Sequence, residues 1–428
     1  MGRIVSHDDY RLVNEVASKV LSAETALAIK TIREILARFD DHGVVDVFAQ
    51  YPAKDVITAV MALSRLQRAS IMVDERDSKQ VDTEDRVFDL ELLGDLAHYA
   101  VFANAAYGWK GGLALSGRLH LGDMNTLIAR TGINEEDIVS AQWRSKTHRP
   151  AHFIVRDTAK KKLVLCIRGT LSAKDVLTDL CCTAENFSGT NDEKGFKNKF
   201  QSNYEARAHH GMLEGARGVA ERAQETIAVE LAANPDFQLV LVGHSLGGGT
   251  AAVLGTMWQG IFPNLSVYAY GCPCVGPIDA NPTLNEAIIS VVGEGDPFSN
   301  LSLGHLADIS AAISQLCVDD VLRNEVLQRT KGGKLEDMSE EDLQWCYHKM
   351  ERLRESMTAE KFYPPGKVLY MGGAGFGNGD VTLREVPTNK FRDLTLHPNM
   401  FDLWKHAPNH YESALRRFLN DINNEVID

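Results

Sequence analysis

The chain has 428 residues, 44% of them hydrophobic and 24% charged. That composition excludes a disordered or fibrous protein and leaves room for a large α/β domain plus a smaller helical part. Its 45 Lys and Arg against 58 Asp and Glu leave a formal charge of −13, which opposes binding to nucleic acid or to a strongly anionic membrane. From the N-terminus, residues 6–109 read as helices: Val56, Ile57, Val60 and Leu63 recur at helical spacing, as do Leu90, Leu93, Leu96, Ala97, Ala100 and Val101. Residues 1–110 are therefore expected to form an N-terminal helical region packing on a domain of residues 111–428.

From His152 the pattern changes to short apolar runs: HFIV, then residues 163–167, 239–242, 267–270 and 288–292. Continuous Val, Ile and Leu runs suit strands covered on both faces. Between the second and third runs, Met212, Ala216, Val219, Ala220, Ala223, Ile227 and Leu231 form one helical stripe ending near Asn234-Pro235. Another helix follows the third run through Ala251, Ala252, Leu254 and Met257. Alternation of strand and helix implies parallel crossovers and a mostly parallel central sheet. Residues 305–362 are charged and helical and stand between two apparent strands as an insertion, either a brace for the fold or a lid or regulatory element.

Residues 243–247 spell GHSLG between a strand and a helix, the setting of a nucleophile elbow. The bare motif is weak, and its placement carries the reading. Ser245 must protrude from a tight turn toward a base, and Gly243, His244 and Gly247 complete the elbow, its glycines avoiding clashes with strand and helix. Its bland alternative is a helix N-cap. A serine hydroxyl needs a histidine and an orienting carboxylate, in the order Ser, Asp or Glu, His for an α/β-hydrolase fold. Asp296 follows an apparent strand end and is preferred over Asp279 and Asp308, although it also suits an Asx turn before Pro297. Among His305, His348, His397, His406 and His410, the choice is His406, placed where a loop meets the terminal helix, whereas His410 falls inside the helical pattern. The oxyanion hole is expected from the backbone N–H of Leu246 and from Thr170, just past the strand at 163–167; the competing view makes Thr170 turn chemistry.

These residues together resemble the class 3 lipase family, and more closely its sn-1-specific diacylglycerol lipase branch. The resemblance rests on RGTLSAKDVLTDL (168–180), VGHSLGGGTAAVL (242–254) and HYAVFANAAYGW (98–109). Weaker similarity lies in AKDVITAVMAL (53–63), HGML (210–213), YPPGKV (363–368) and the spacing of Met400, His406 and Pro408. It implies an α/β-hydrolase fold with Ser245 as nucleophile, Asp296 as acid and His406 as base, hydrolysing the sn-1 ester of diacylglycerol to a 2-monoacylglycerol and a fatty acid. A phospholipase A1 or triacylglycerol lipase on the same scaffold is the nearest alternative, and a catalytically silent lipase-like signalling protein is a further one.

The animal members carry transmembrane helices ahead of the catalytic domain, where this chain has soluble-looking helices. Residues 1–10 lack the apolar core of a signal peptide, and the uncharged stretch 237–278 is broken by Gly, Pro, Ser and Asn. A cytoplasmic protein visiting a membrane or lipid-droplet surface as a peripheral partner is expected, with a neutral glycerolipid substrate and no nucleic acid. In the family the insertion corresponds to a regulatory loop over the active site. Calcium stimulation follows from the resemblance alone; no calcium loop stands out, and the chemistry requires no metal or other cofactor. The seven cysteines are odd in number, without zinc-finger spacing, and are expected to be reduced packing thiols.

Overall fold

A computed structural model describes residues 44–79, 89–108, 122–170, 184–188, 205–277, 286–331, 338–373, 381–396 and 404–427. In chain order the elements begin with α1 (Val47–Gln50), α2 (Ala53–Lys79), α3 (Leu90–Ala105) and α4 (Asp123–Thr131). Strands β1 (Ile138–Gln142), β2 (His152–Asp157), β3 (Lys162–Ile167), β4 (Ala184–Ser188) and β5 (Glu205–His209) follow, then α5 (His210–Ala233). Next come β6 (Gln238–His244), α6 (Leu246–Trp258), β7 (Ser266–Tyr270) and β8 (Ile288–Gly293). Helices α7 (Leu303–Val318), α8 (Asp320–Arg329) and α9 (Glu340–Arg354) precede β9 (Lys367–Gly372), β10 (Thr382–Glu385) and α10 (Pro408–Ile427).

The chain divides into two compact units. The larger comprises residues 85–301, 362–392 and 402–428. Its eight-stranded sheet runs β1-β2-β3-β6-β7-β8-β9-β10. The pairs from β3 through β6, β7 and β8 to β9 are parallel, and antiparallel strands close the two edges. This is the mostly parallel α/β sheet expected from the apolar runs. The central strands are mostly apolar because helices cover both faces: α3 and α10 join the sheet in one core through Leu96, Phe102, Val164, Val242, Tyr411 and Phe418. On α6, Gly249 allows close approach to α5; a Cβ there would lie 2.5 Å from the Met212 sulfur.

The smaller unit comprises residues 1–84, 302–361 and 393–401. Helix α2 packs in it with α7, α8 and α9, burying Val56, Val60, Leu63 and Leu66 together with Ile309, Ile313, Leu316, Val326, Leu343 and Met350. Arg323 pairs with Asp55 at 3.0 Å, and the Gln67 amide bonds both the Leu394 carbonyl and the Leu396 N–H, at 2.9 and 2.8 Å. The boundary therefore differs from the division at residue 110: α3 joins the sheet unit and α2 joins the insertion helices. Two amphipathic helices adjacent in sequence carry no local signal of which distant apolar face each will cover. Residues 53–74 are long and apolar enough to cross a membrane by length and composition, and most of that stretch is buried inside the protein.

Candidate active site

The elbow is built by steric necessity. Strand β6 ends at His244, Ser245 takes φ +57° and ψ −134°, and α6 starts at Leu246. A Cβ on Gly243 would lie 2.3 Å from the Gly247 carbonyl oxygen, and one on Gly247 would lie 2.3 Å from the Ile167 carbonyl oxygen, so only glycine fits at either position. Ser245 is held by its N–H to the Tyr270 carbonyl at 2.9 Å. It keeps a backbone conformation that an L residue adopts only under strain. Its side chain caps nothing, which removes the N-cap alternative, and the buried Oγ has no hydrogen-bond partner.

Asp296 lies just past the end of β8, its N–H bonded to the Gly293 carbonyl at 3.0 Å. One carboxylate oxygen accepts from the Phe298 N–H at 2.9 Å, so the Asx turn is present as well. The other accepts from His406 Nδ1 at 2.7 Å and from the Tyr411 hydroxyl at 2.5 Å. Tyr411 is itself fixed by the Gly293 N–H, which donates to its oxygen at 2.8 Å. Burial alone would raise the Asp296 carboxyl, but the neighbouring His406 charge and the bonds from His406, Tyr411 and Phe298 outweigh it and hold the group below its ordinary range.

His406 stands in the turn before α10, with the Phe298 ring edge-on at 4.3 Å between centroids. Since Nδ1 donates to the carboxylate, Nε2 is left as the lone-pair nitrogen, and it too is buried without a hydrogen-bond partner. The serine Oγ on the elbow and the imidazole nitrogen on the turn before α10 thus both keep their hydrogen-bonding capacity open. The elbow and the His406 turn are tied directly, through a 2.6 Å bond between His244 Nε2 and the His406 carbonyl.

The loop after β3 lies against the elbow. A Cβ on Gly169 would meet the His244 carbonyl oxygen at 2.5 Å and Ser245 Cβ at 3.2 Å. Thr170 follows immediately and is half-buried. Leu246 opens α6, so its N–H lies outside the helix's own ladder. The other candidates fall elsewhere. His410 is buried within α10. His305, bonded to Ser302 at 2.7 Å, exposed His348 and Asp308, paired with Lys361, belong to the smaller unit. Asp279 and His397 lie outside the described residues, as do Met400 and residues 171–183. Among the described residues no group of three or more His, Cys, Asp or Glu is arranged to hold a metal. Cys166, Cys272, Cys274 and Cys346 are buried thiols outside any disulfide.

Tyr107, Phe298 and Tyr411 are parts of this site without a sequence signal of their own. Tyr107 ends an Ala-rich helical run, Tyr411 falls on the apolar stripe of the terminal helix with Ala414, Leu415 and Phe418, and Phe298 follows a polar turn; by pattern none of them differs from packing.

Residues 164–305 match the class 3 lipase family. Mouse diacylglycerol lipase-beta is 31% identical over 202 residues, covering 41% of this chain and 29% of that protein. Human diacylglycerol lipase-alpha is 25% identical over 277 residues, covering 51% of this chain and 26% of that protein. The chain thus spans under a third of the length of these relatives. A nonglycosylated lipase of Yarrowia lipolytica shares 18% identity over 51% of this chain and 77% of its own, at a TM-score of 0.39. Residues 164–305 are therefore similar to the class 3 lipase family, in a chain that resembles the diacylglycerol lipases over part of its length.

Proposed function

We propose that the protein is a serine lipase that hydrolyses the sn-1 ester of diacylglycerol, releasing a fatty acid and a 2-monoacylglycerol through an acyl-enzyme. The observation that carries this reading is the strained, unsatisfied Ser245 Oγ on an elbow bonded to the turn of His406, whose Nδ1 is held by Asp296. In this mechanism His406 Nε2 takes the Ser245 proton as Oγ attacks the ester carbonyl. The tetrahedral oxyanion is met by the Leu246 N–H and by Thr170. Collapse expels the glycerol oxygen, which receives the proton from His406. Water, activated by the same imidazole, then cleaves the acyl-enzyme and frees Ser245. Asp296, kept ionised by its three donors, stabilises the imidazolium that forms twice in the cycle.

Diacylglycerol as substrate is supported by the names of the relatives and by the net negative charge, which suits an uncharged lipid better than an anionic one. The protein would act as a peripheral visitor to a neutral-lipid surface, and its chemistry requires no cofactor. The test is fatty acid release from diacylglycerol in mixed micelles by wild type and Ser245→Ala, with the glycerol product identified. Release of sn-1 chains with 2-monoacylglycerol as co-product is expected, with turnover falling on the order of a million-fold in the variant. Release from phospholipid in preference to diacylglycerol would overturn the substrate assignment.

A further inference from the structure

His244, the residue between Gly243 and the elbow serine, has no step in the triad chemistry, yet both of its ring nitrogens are engaged and it is only 2% exposed. Nε2 lies 2.6 Å from the His406 carbonyl oxygen and Nδ1 lies 2.7 Å from the Tyr107 hydroxyl. A carbonyl oxygen only accepts, so Nε2 carries the proton; Nδ1 of the neutral ring is then an acceptor, and Tyr107 must donate to it. The bonds run one way, from the Tyr107 hydroxyl through the imidazole to the His406 main chain. Burial, reinforced by the charge of the nearby His406, pushes the His244 pKa down to about 3, so the ring stays neutral and the direction does not reverse near neutral pH.

His406 needs such an anchor. It sits in a turn ahead of α10 rather than inside a helix, so no helical ladder fixes its backbone. The Asp296 bond grips the ring at Nδ1 and leaves the residue able to shift as the chain shifts. The His244 bond grips the same residue at its carbonyl. Space for the bridge is kept by two glycines. A Cβ on Gly271 would lie 3.1 Å from His244 Nε2 and from His406 Nδ1, and one on Gly169 would lie 2.6 Å from the Tyr107 hydroxyl. One imidazole thereby spans α3's end, the elbow and the His406 turn.

We infer that Tyr107 and His244 are positioning residues that hold the backbone of His406 in register with Ser245, an inference that rests on the triad reading proposed above. They touch no reacting atom; they act through the placement of the base, and displacement of about 1 Å is enough to cost about a hundred-fold in rate.

The test uses the full chain, with the water-soluble ester p-nitrophenyl butyrate as probe, and compares Tyr107→Phe, His244→Asn and His244→Gln with wild type and Ser245→Ala. The amide nitrogen of Gln falls near the position of Nε2, whereas that of Asn falls near Nδ1. We expect kcat to drop about 10- to 100-fold in His244→Asn and by less in Tyr107→Phe, with KM within about twofold, and His244→Gln, which keeps the donor to the His406 carbonyl but not the acceptor for Tyr107, to recover the His244→Asn loss down to the level of Tyr107→Phe. The downfield proton resonance of the His406 Nδ1–H should broaden most in His244→Asn and less in Tyr107→Phe and His244→Gln. Equal losses in Gln and Asn, a change confined to KM, or unchanged kcat in Tyr107→Phe would overturn the positioning role. Equal hydrolysis by wild type and Ser245→Ala would instead sink the triad reading, and the His406 resonance in the same variants would then decide the positioning role by itself.

Discussion

Ser245 sits at φ +57° and ψ −134°, and replacing it separates what the elbow does for catalysis from what it costs in stability. An L residue held in a sparsely populated backbone region is destabilised by about 1–3 kcal/mol. Ser245→Ala removes Oγ and keeps that strain, because alanine has the same Cβ problem as serine. Ser245→Gly removes both. Glycine gains freedom in the unfolded chain, which costs about 0.5–1 kcal/mol, so the net advantage of Gly over Ala is about 0–2.5 kcal/mol, the difference of those two ranges. Both variants should be inactive on ester, and urea unfolding should place Ser245→Gly above Ser245→Ala in stability. If glycine is instead the less stable of the two by its usual penalty, the elbow is not strained and the argument from backbone geometry to a reactive serine fails.

Other consequences are equally checkable. His244 stays neutral when folded, with a pKa near 3, while an unfolded histidine protonates near 6.5. The unfolded state therefore binds the extra proton as pH falls below about 6.5, and by pH 4.5 this linkage removes about 3 kcal/mol. The stability gap between wild type and His244→Gln, measured by urea unfolding, should narrow by that amount from pH 7 to 4.5; parallel curves would contradict it. Tyr411→Phe deprives Asp296 of one donor and leaves the buried Gly293 N–H without its acceptor, for a loss of about 1–3 kcal/mol; an unchanged unfolding midpoint would count against the network. Gly169→Ala sets a Cβ 2.5 Å from the His244 carbonyl oxygen, so the β3 loop must move. kcat on a soluble ester should fall about a hundred-fold, whereas wild-type kinetics would show that the loop does not brace the elbow.

The central strands were legible because burial on both faces leaves continuous apolar runs in β3, β6, β7 and β8. Strand β1, half-buried along most of its length, lacks that signature; β9 was legible only as the apparent strand after the insertion, and β10 is a short run among loops. The helices of the insertion were legible as helices, but their charge concealed how much they bury: Ile309, Ile313, Leu316, Val326 and Leu343 all pack inside the smaller unit. Removing residues 318–358 to test for a lid would strip α8 and α9 from α2, so that experiment would report unfolding rather than gating.

At the candidate site, Ser245, Asp296 and His406 were legible because they stand at strand ends and turns, where sequence punctuation marks them. Tyr107 and Tyr411 did not. Tyr107 ends an Ala-rich run and Tyr411 falls on the apolar stripe of an amphipathic helix, where it is fully buried; its ring is core, and only the hydroxyl, invisible to any hydrophobic pattern, belongs to the site. The tautomer of His244 was likewise unreadable, since it depends on a carbonyl 162 residues away in sequence.

The most direct test of the account is to react the full chain with a fluorophosphonate and locate the adduct by peptide mass spectrometry, alongside Ser245→Ala, His406→Ala and Asp296→Asn. The account predicts one adduct, on Ser245, absent in the first variant and formed far more slowly in the other two. Labelling at another residue, or a Ser245 adduct that forms as fast without His406 as with it, would contradict a nucleophile activated by this histidine and carboxylate.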